Sequence, residues 1–209
     1  MLLVTNVVIA GEYNNPKADP DPKKAMIESG ISYNANSQYK EAMTEFNKVI
    51  EMDPKNAQAY NYRGYSYILA GDFDKATADY TKAIDLNPFY ADAYYNRALV
   101  YDMRKSDHTS AIYDFTKAIQ LKPKFEEAYL GRGAAYAKNG KSDAAIADYN
   151  KAIELNPENG NLYYNRAVSY YAKGEYKNAW DDVKKAEDLG CEIHPVFLKN
   201  LKKASGREE

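Results

Sequence analysis

Apolar and small residues recur at helical spacing in two short runs, and this pair of runs repeats along the chain. Tyr60, Gly64 and Tyr67 stand at i, i+4 and i+7. After a break at Gly71, Ala76, Tyr80 and Ala83 take the same spacing. Each triplet marks one face of a helix, because 3.6 residues per turn bring such positions into line. The pattern predicts two helices joined by a short turn. Gly71, Gly140 and Gly174 fall at these turns, where a helix end often needs a left-handed residue. Pro54, Pro88, Pro123 and Pro157 close successive units, 34, 35 and 34 residues apart. A first helical turn tolerates proline, so Asp53, Asn87 and Asn156 before it read as N-caps of the next helix.

The same registers can be laid out five times. On first helices the triplets are Met26-Gly30-Tyr33, Tyr60-Gly64-Tyr67, Tyr94-Ala98-Tyr101, Tyr129-Gly133-Tyr136 and Tyr163-Ala167-Tyr170. On second helices they are Ala42-Phe46-Val49, Ala76-Tyr80-Ala83, Ala111-Phe115-Ala118, Ala145-Tyr149-Ala152 and Ala179-Val183-Ala186. Small residues let the two helices of a unit approach, and large ones fill the space between units. The chain resembles the tetratricopeptide repeat family over about 170 of its 209 residues. That resemblance implies an all-α, right-handed superhelical solenoid of five helix-turn-helix repeats with a C-terminal capping helix. The expected domains are a tail and linker at 1–22, repeats at 23–56, 57–90, 91–125, 126–159 and 160–191, and a cap with a short tail at 192–209. Two departures stand out. The third repeat has one extra residue around Lys105 to Thr109, and the fifth has Cys191 where the closing proline belongs.

A stack of repeats exposes an apolar face at its last unit and needs a cap. His194 to Ala204 supplies one: Pro195 can start a helix whose stripe is Phe197, Leu198 and Leu201. At the other end, Leu2 to Ala10 is apolar and β-branched but too short to span a membrane. It has three readings: the remnant of an export signal, a strand that docks on another chain, or a flexible tail. Glu12 to Pro22 is polar and proline-rich, which reads as linker. The compartment follows from this choice, cytoplasmic by default and exported if residues 1–10 are a signal remnant.

Composition narrows the functions available. With 28 basic and 30 acidic residues, the net charge of −2 lacks the basic field that nucleic-acid binding needs. One cysteine and two histidines supply no recognisable metal site and no disulfide, so no cofactor is expected. Lys138-Asn139-Gly140-Lys141-Ser142 resembles the end of a phosphate-binding loop, but Ala135 replaces the first glycine and no strand precedes it. Cys191 reads as a packing residue. The carboxylates recur at repeat spacing, as solvated helix faces do. The chain is not expected to be an enzyme.

Arg63, Arg97, Arg132 and Arg166 recur on first helices, and Glu45, Asp79, Asp114, Asp148 and Asp182 on second helices. The first repeat has Ser29 at the arginine position, and no repeat precedes it. This suggests that each arginine reaches back to the preceding acid, as Arg63 to Glu45. Pairing within the repeat, Arg63 to Asp79, stays open.

The 21 tyrosines locate a candidate binding face. Repeat signatures, with Tyr39 and Tyr176 near the starts of second helices, take 13 of them. Tyr62, Tyr65, Tyr95, Tyr164 and Tyr171 lie on first helices off the core stripe. In the family that face lines the concave groove. Asn61, Asn96 and Asn165 accompany them, and Leu99 and Leu130 complete the expected partner-binding set. Amides can donate and accept toward a peptide backbone at once, and tyrosines give contact area at low entropic cost. The resemblance therefore implies a non-catalytic scaffold that holds a partner peptide in this groove. The lysines and arginines with which some relatives clamp acidic tails are absent: Ile27, Ile31, Tyr62, Asp92 and Asn96 stand there instead. A neutral to basic protein or peptide is the expected partner. The structural alternative is self-association through the N-terminal segment or the array ends.

Overall fold

The computed structural model describes residues 21–105 and 107–207, with the side chains of 104 and 105 left aside. Among the described residues there are eleven α-helices and no strand. The chain divides into two compact units that meet in sequence at residues 106 and 107, the turn of the third repeat. The expectations for Leu2 to Ala10 and most of the linker lie outside the described residues.

The first unit contains α1 (Pro22–Ala35), α2 (Tyr39–Met52), α3 (Ala57–Leu69), α4 (Phe73–Leu86) and α5 (Ala91–Lys105). Each helix packs on the next, and α1 and α5 both touch α3. The second unit contains α6 (His108–Leu121), α7 (Glu126–Lys138), α8 (Ser142–Leu155), α9 (Gly160–Ala172), α10 (Tyr176–Asp188) and α11 (Pro195–Ser205). Its helices also pack in chain order, with α7 touching α9 and α11 seated on α10.

The second-helix triplets form the core. All fifteen of their residues are essentially inaccessible, at 0–1 %. Small residues on first helices are there for contact: a Cβ on Gly133 would lie 2.7 Å from the Tyr149 ring, closer than carbon atoms can approach. Large aromatics at the other triplet positions of first helices are mostly half-buried. Gly71, Gly140 and Gly174 turn the chain at φ of +81°, +72° and +78°. Ser37 takes the equivalent turn in the first repeat at φ +60° without the freedom of glycine.

The helix starts differ from the sequence expectation. Asp53, Asn87 and Asn156 are C-caps of second helices. Their position before proline fits an Asx turn as well as an N-cap: Asp53 and Asn87 accept from the N–H groups of Lys55 and Phe89. The next helix begins four residues later. Asn56 caps α3 by accepting from the Ala59 N–H at 2.9 Å, and Asn159 caps α9.

At the C-terminus the expected cap forms. His194 is the N-cap of α11, its Nδ1 accepting from the Val196 N–H. Leu201 is fully buried, and Phe197 and Leu198 pack on the core of the last repeat. No described helix is long and apolar enough to cross a membrane.

Candidate functional site

A charged clamp ties three first helices to the second helix of the same repeat. Arg63 donates from Nε and Nη2 to both oxygens of Asp79 at 2.7 Å. Arg132 grips Asp148 and Arg166 grips Asp182 in the same forked geometry. The pairing is therefore within the repeat, correcting the expected Arg63–Glu45 contact. The physical reason is that Asp79 on α4 is buried beside α3 and accepts both prongs of the guanidinium. Glu45 is instead bonded to Lys48. The reach toward the preceding repeat is real but goes to a neutral residue one half-turn later. The remaining prong of Arg63 donates to Asn47, of Arg97 to Thr81, of Arg132 to Thr116 and of Arg166 to Asn150.

Tyrosine frames the same clamp. The Arg63 guanidinium lies 5.4 Å from the Tyr60 ring centre and 6.0 Å from that of Tyr67. Tyr94 and Tyr101 flank Arg97, Tyr129 and Tyr136 flank Arg132, and Tyr163 and Tyr170 flank Arg166. Repeated tyrosine thus serves cation–π contact as well as packing. The signal was present in the spacing Tyr60, Arg63, Tyr67, one turn to either side of the arginine.

The face expected to bind a partner divides by surroundings. In the first unit Asn61, Tyr62, Tyr95 and Asn96 are all buried, at 1–6 % exposure. Sequence reasoning placed them off the core stripe, where truncation would spare the fold. That expectation is corrected for these four. Tyr62 stacks on Phe46 of the preceding repeat, ring centres 5.7 Å apart, so it fills the joint between repeats. Asn96 donates from Nδ2 to Asn61 Oδ1 at 3.1 Å and joins α5 to α3. Tyr65 and Leu99 remain half-buried and reachable.

In the second unit Leu130, Tyr164, Asn165 and Tyr171 are half-buried. Tyr164 and Tyr171 each meet the Phe197 ring of α11 at 5.6 Å. Asn165, the repeat equivalent of Asn96, spends its amide on the Asn161 carbonyl of its own helix. The structure therefore does not bring the ten residues together as one uniform surface.

Between α3 and the start of α5 lies a pocket of about 280 Å³. Gln58, Asn61 and Tyr62 line it from α3, and Asn87, Tyr90 and Asp92 from the other side. Tyr90 is a site residue that repeat bookkeeping missed, because it sits in a turn and belongs to no signature. Burial pushes its hydroxyl pKa up, with Tyr62 and Asp92 adding to the shift and a hydrogen bond from Asn61 opposing it. Burial likewise raises Tyr62, opposed by Gln58 and reinforced by Asp92. On the other side of α3, the Asn34 amide donates to Ser66 at 2.9 Å. Among the described residues, the buried atoms Asn34 Oδ1, Asn96 Oδ1 and Tyr80 Oη have no hydrogen-bond partner.

Elsewhere the candidate chemistry resolves into packing. Cys191 lies against Gly160 and donates to Asn161 Oδ1, and burial raises its thiol pKa, opposite to what a nucleophile needs. Lys138 to Ser142 is the end of α7, a turn at Gly140 and the start of α8. Among the described residues no group of three His, Cys, Asp or Glu side chains is arranged to hold a metal ion.

Comparison with known proteins agrees with this architecture. Three tetratricopeptide repeat models match, at residues 57–90 and 126–159, at 30–69 and 102–140, and at 79–113 and 148–181. No curated protein matches the chain. Among solved structures, MamA is similar at 27% identity and a TM-score of 0.71, over 77% of this chain and 94% of that one. The type IV pilus biogenesis factor PilW shares the fold at 21% identity and a TM-score of 0.79, covering 89% and 87%. YrrB, described as a TPR protein with an unusual peptide-binding site, shares it at 21% and 0.68, covering 87% and 90%. With five registers in the sequence, paired helices in the structure and family models spanning residues 30–181 between them, the chain belongs to the tetratricopeptide repeat family.

Proposed function

We propose that this protein is a non-catalytic interaction scaffold that holds a segment of a partner protein along the first helices α3 and α5 of its first unit. The observation that carries the reading is the α3–α5 seam. It combines an open pocket, reachable Tyr65 and Leu99, and amide groups held by a buried hydrogen bond. Such a surface offers aromatic contact area and fixed polar groups, as peptide recognition requires. A peptide-binding site is named for YrrB, which shares the fold. A partner segment of neutral to basic charge fits the seam better than an acidic one, since Asp92 lines it.

The test is selection of random decapeptides on the folded, full-length protein. Binders that lose at least tenfold in affinity to Tyr65→Ser and Leu99→Ser support the scaffold reading. Failure to select any peptide, or peptides that bind both variants unchanged, overturns it.

A further inference from the structure

The amides of the α3–α5 seam have a fixed polarity. Asn61 Oδ1 accepts from Asn96, so the Asn61 NH2 is the group that faces the Tyr90 hydroxyl. Asn96 gives one of its two amide N–H groups to this bond and is itself 1 % exposed, behind the residues that line the pocket. Asp92, one turn before Asn96 on α5, lines the pocket and sets the sign of the charge that fits. Its field is felt at both Tyr62 and Tyr90. Those tyrosines supply ring surface against which an aliphatic stem or a cation can rest.

Resting on the scaffold reading above, we propose that this pocket receives a basic side chain, lysine or arginine, of the bound segment. The cation sits near Asp92, and its stem lies between the Tyr62 and Tyr90 side chains. The pocket thereby fixes the register of the segment on the repeats and rejects acidic residues at that position.

The probe is a decapeptide from the random selection, synthesised with its shared basic residue and with norleucine there instead. Binding to the full chain is measured by calorimetry, with circular dichroism to verify the fold of each variant. The basic peptide is expected to bind at least tenfold more tightly than its norleucine form. Asp92→Asn should remove most of that difference. Gln58→Glu, at an exposed position of the opposite wall, should enlarge it about threefold and serves where Asp92→Asn perturbs the fold. Equal binding of the two peptides, or a preference untouched by both variants, overturns the proposal. Peptides selected without any basic preference overturn it while the scaffold reading stands. No selected peptide at all overturns both.

Discussion

Tyr62 in the first unit and Gly131 in the second hold the same repeat position, yet they solve the joint between repeats in opposite ways. Tyr62 adds a ring that stacks on Phe46. Gly131 removes even a Cβ, which would lie 2.6 Å from the ring of Phe115. The neighbouring position follows suit: Ile27, Asn61 and Tyr95 are buried, whereas Leu130 and Tyr164 are half-buried. A shared repeat pattern thus fixes helix pairing but not what the joint leaves open. In the first unit the filled joint borders an open pocket; in the second, the side chains near the C-terminus are taken up by Phe197.

The largest effect should be the one the two units share. Arg63→Met and Arg132→Met each leave a buried carboxylate without its fork, and each should cost about 3 kcal/mol. Chemical denaturation that shows one costly and the other neutral would break the claim that the clamp is common to both units. Arg97→Met is left out of this comparison because its repeat straddles the two units.

Next come the positions where the units differ. Tyr62→Ala should lose about 3 kcal/mol by opening a cavity against Phe46. Gly131→Ala should lose roughly 1–3 kcal/mol for the contrary reason, overpacking against Phe115. Tyr95→Ala should cost more than Tyr94→Ala, since Tyr95 is 4 % exposed and Tyr94 only half-buried. Equal melting temperatures for the last pair would restore the original placement of Tyr95 on an open face.

The smallest effect concerns the turns. Ser37→Gly relieves a left-handed serine and should gain about 0.5 kcal/mol after the unfolded-state entropy of glycine is subtracted. Gly140→Ser should lose about 1 kcal/mol by the reverse route. A loss on Ser37→Gly would show that the turn of the first repeat draws on serine in a way that backbone conformation does not explain.

Legibility in the sequence varied with the range of the interaction. The helices, turns and cap were readable because they rest on i, i+4, i+7 spacing, on glycine at positive φ, and on one apolar stripe at Phe197, Leu198 and Leu201. The proline-based N-caps misled because Asp53 before Pro54 serves a turn equally well, and only the chain path says which. The partner of Arg63 was ambiguous for a similar reason: Glu45 and Asp79 lie at comparable distances in sequence on either side. The candidate site was legible as a set of residue types but not as a surface.

The sequence alone determined the family, the helix order and the small residues of the repeat triplets, since a 34-residue period and small residues at fixed places admit one pairing of helices. Tertiary structure alone decided which off-stripe side chains are buried, which acid each arginine grips, and where Tyr90 and Asp92 meet Asn61. Burial at a joint depends on the volumes contributed by two repeats at once, and hydrogen-bond polarity depends on a third group fixing the first two. Neither quantity is a property of one repeat read along the chain.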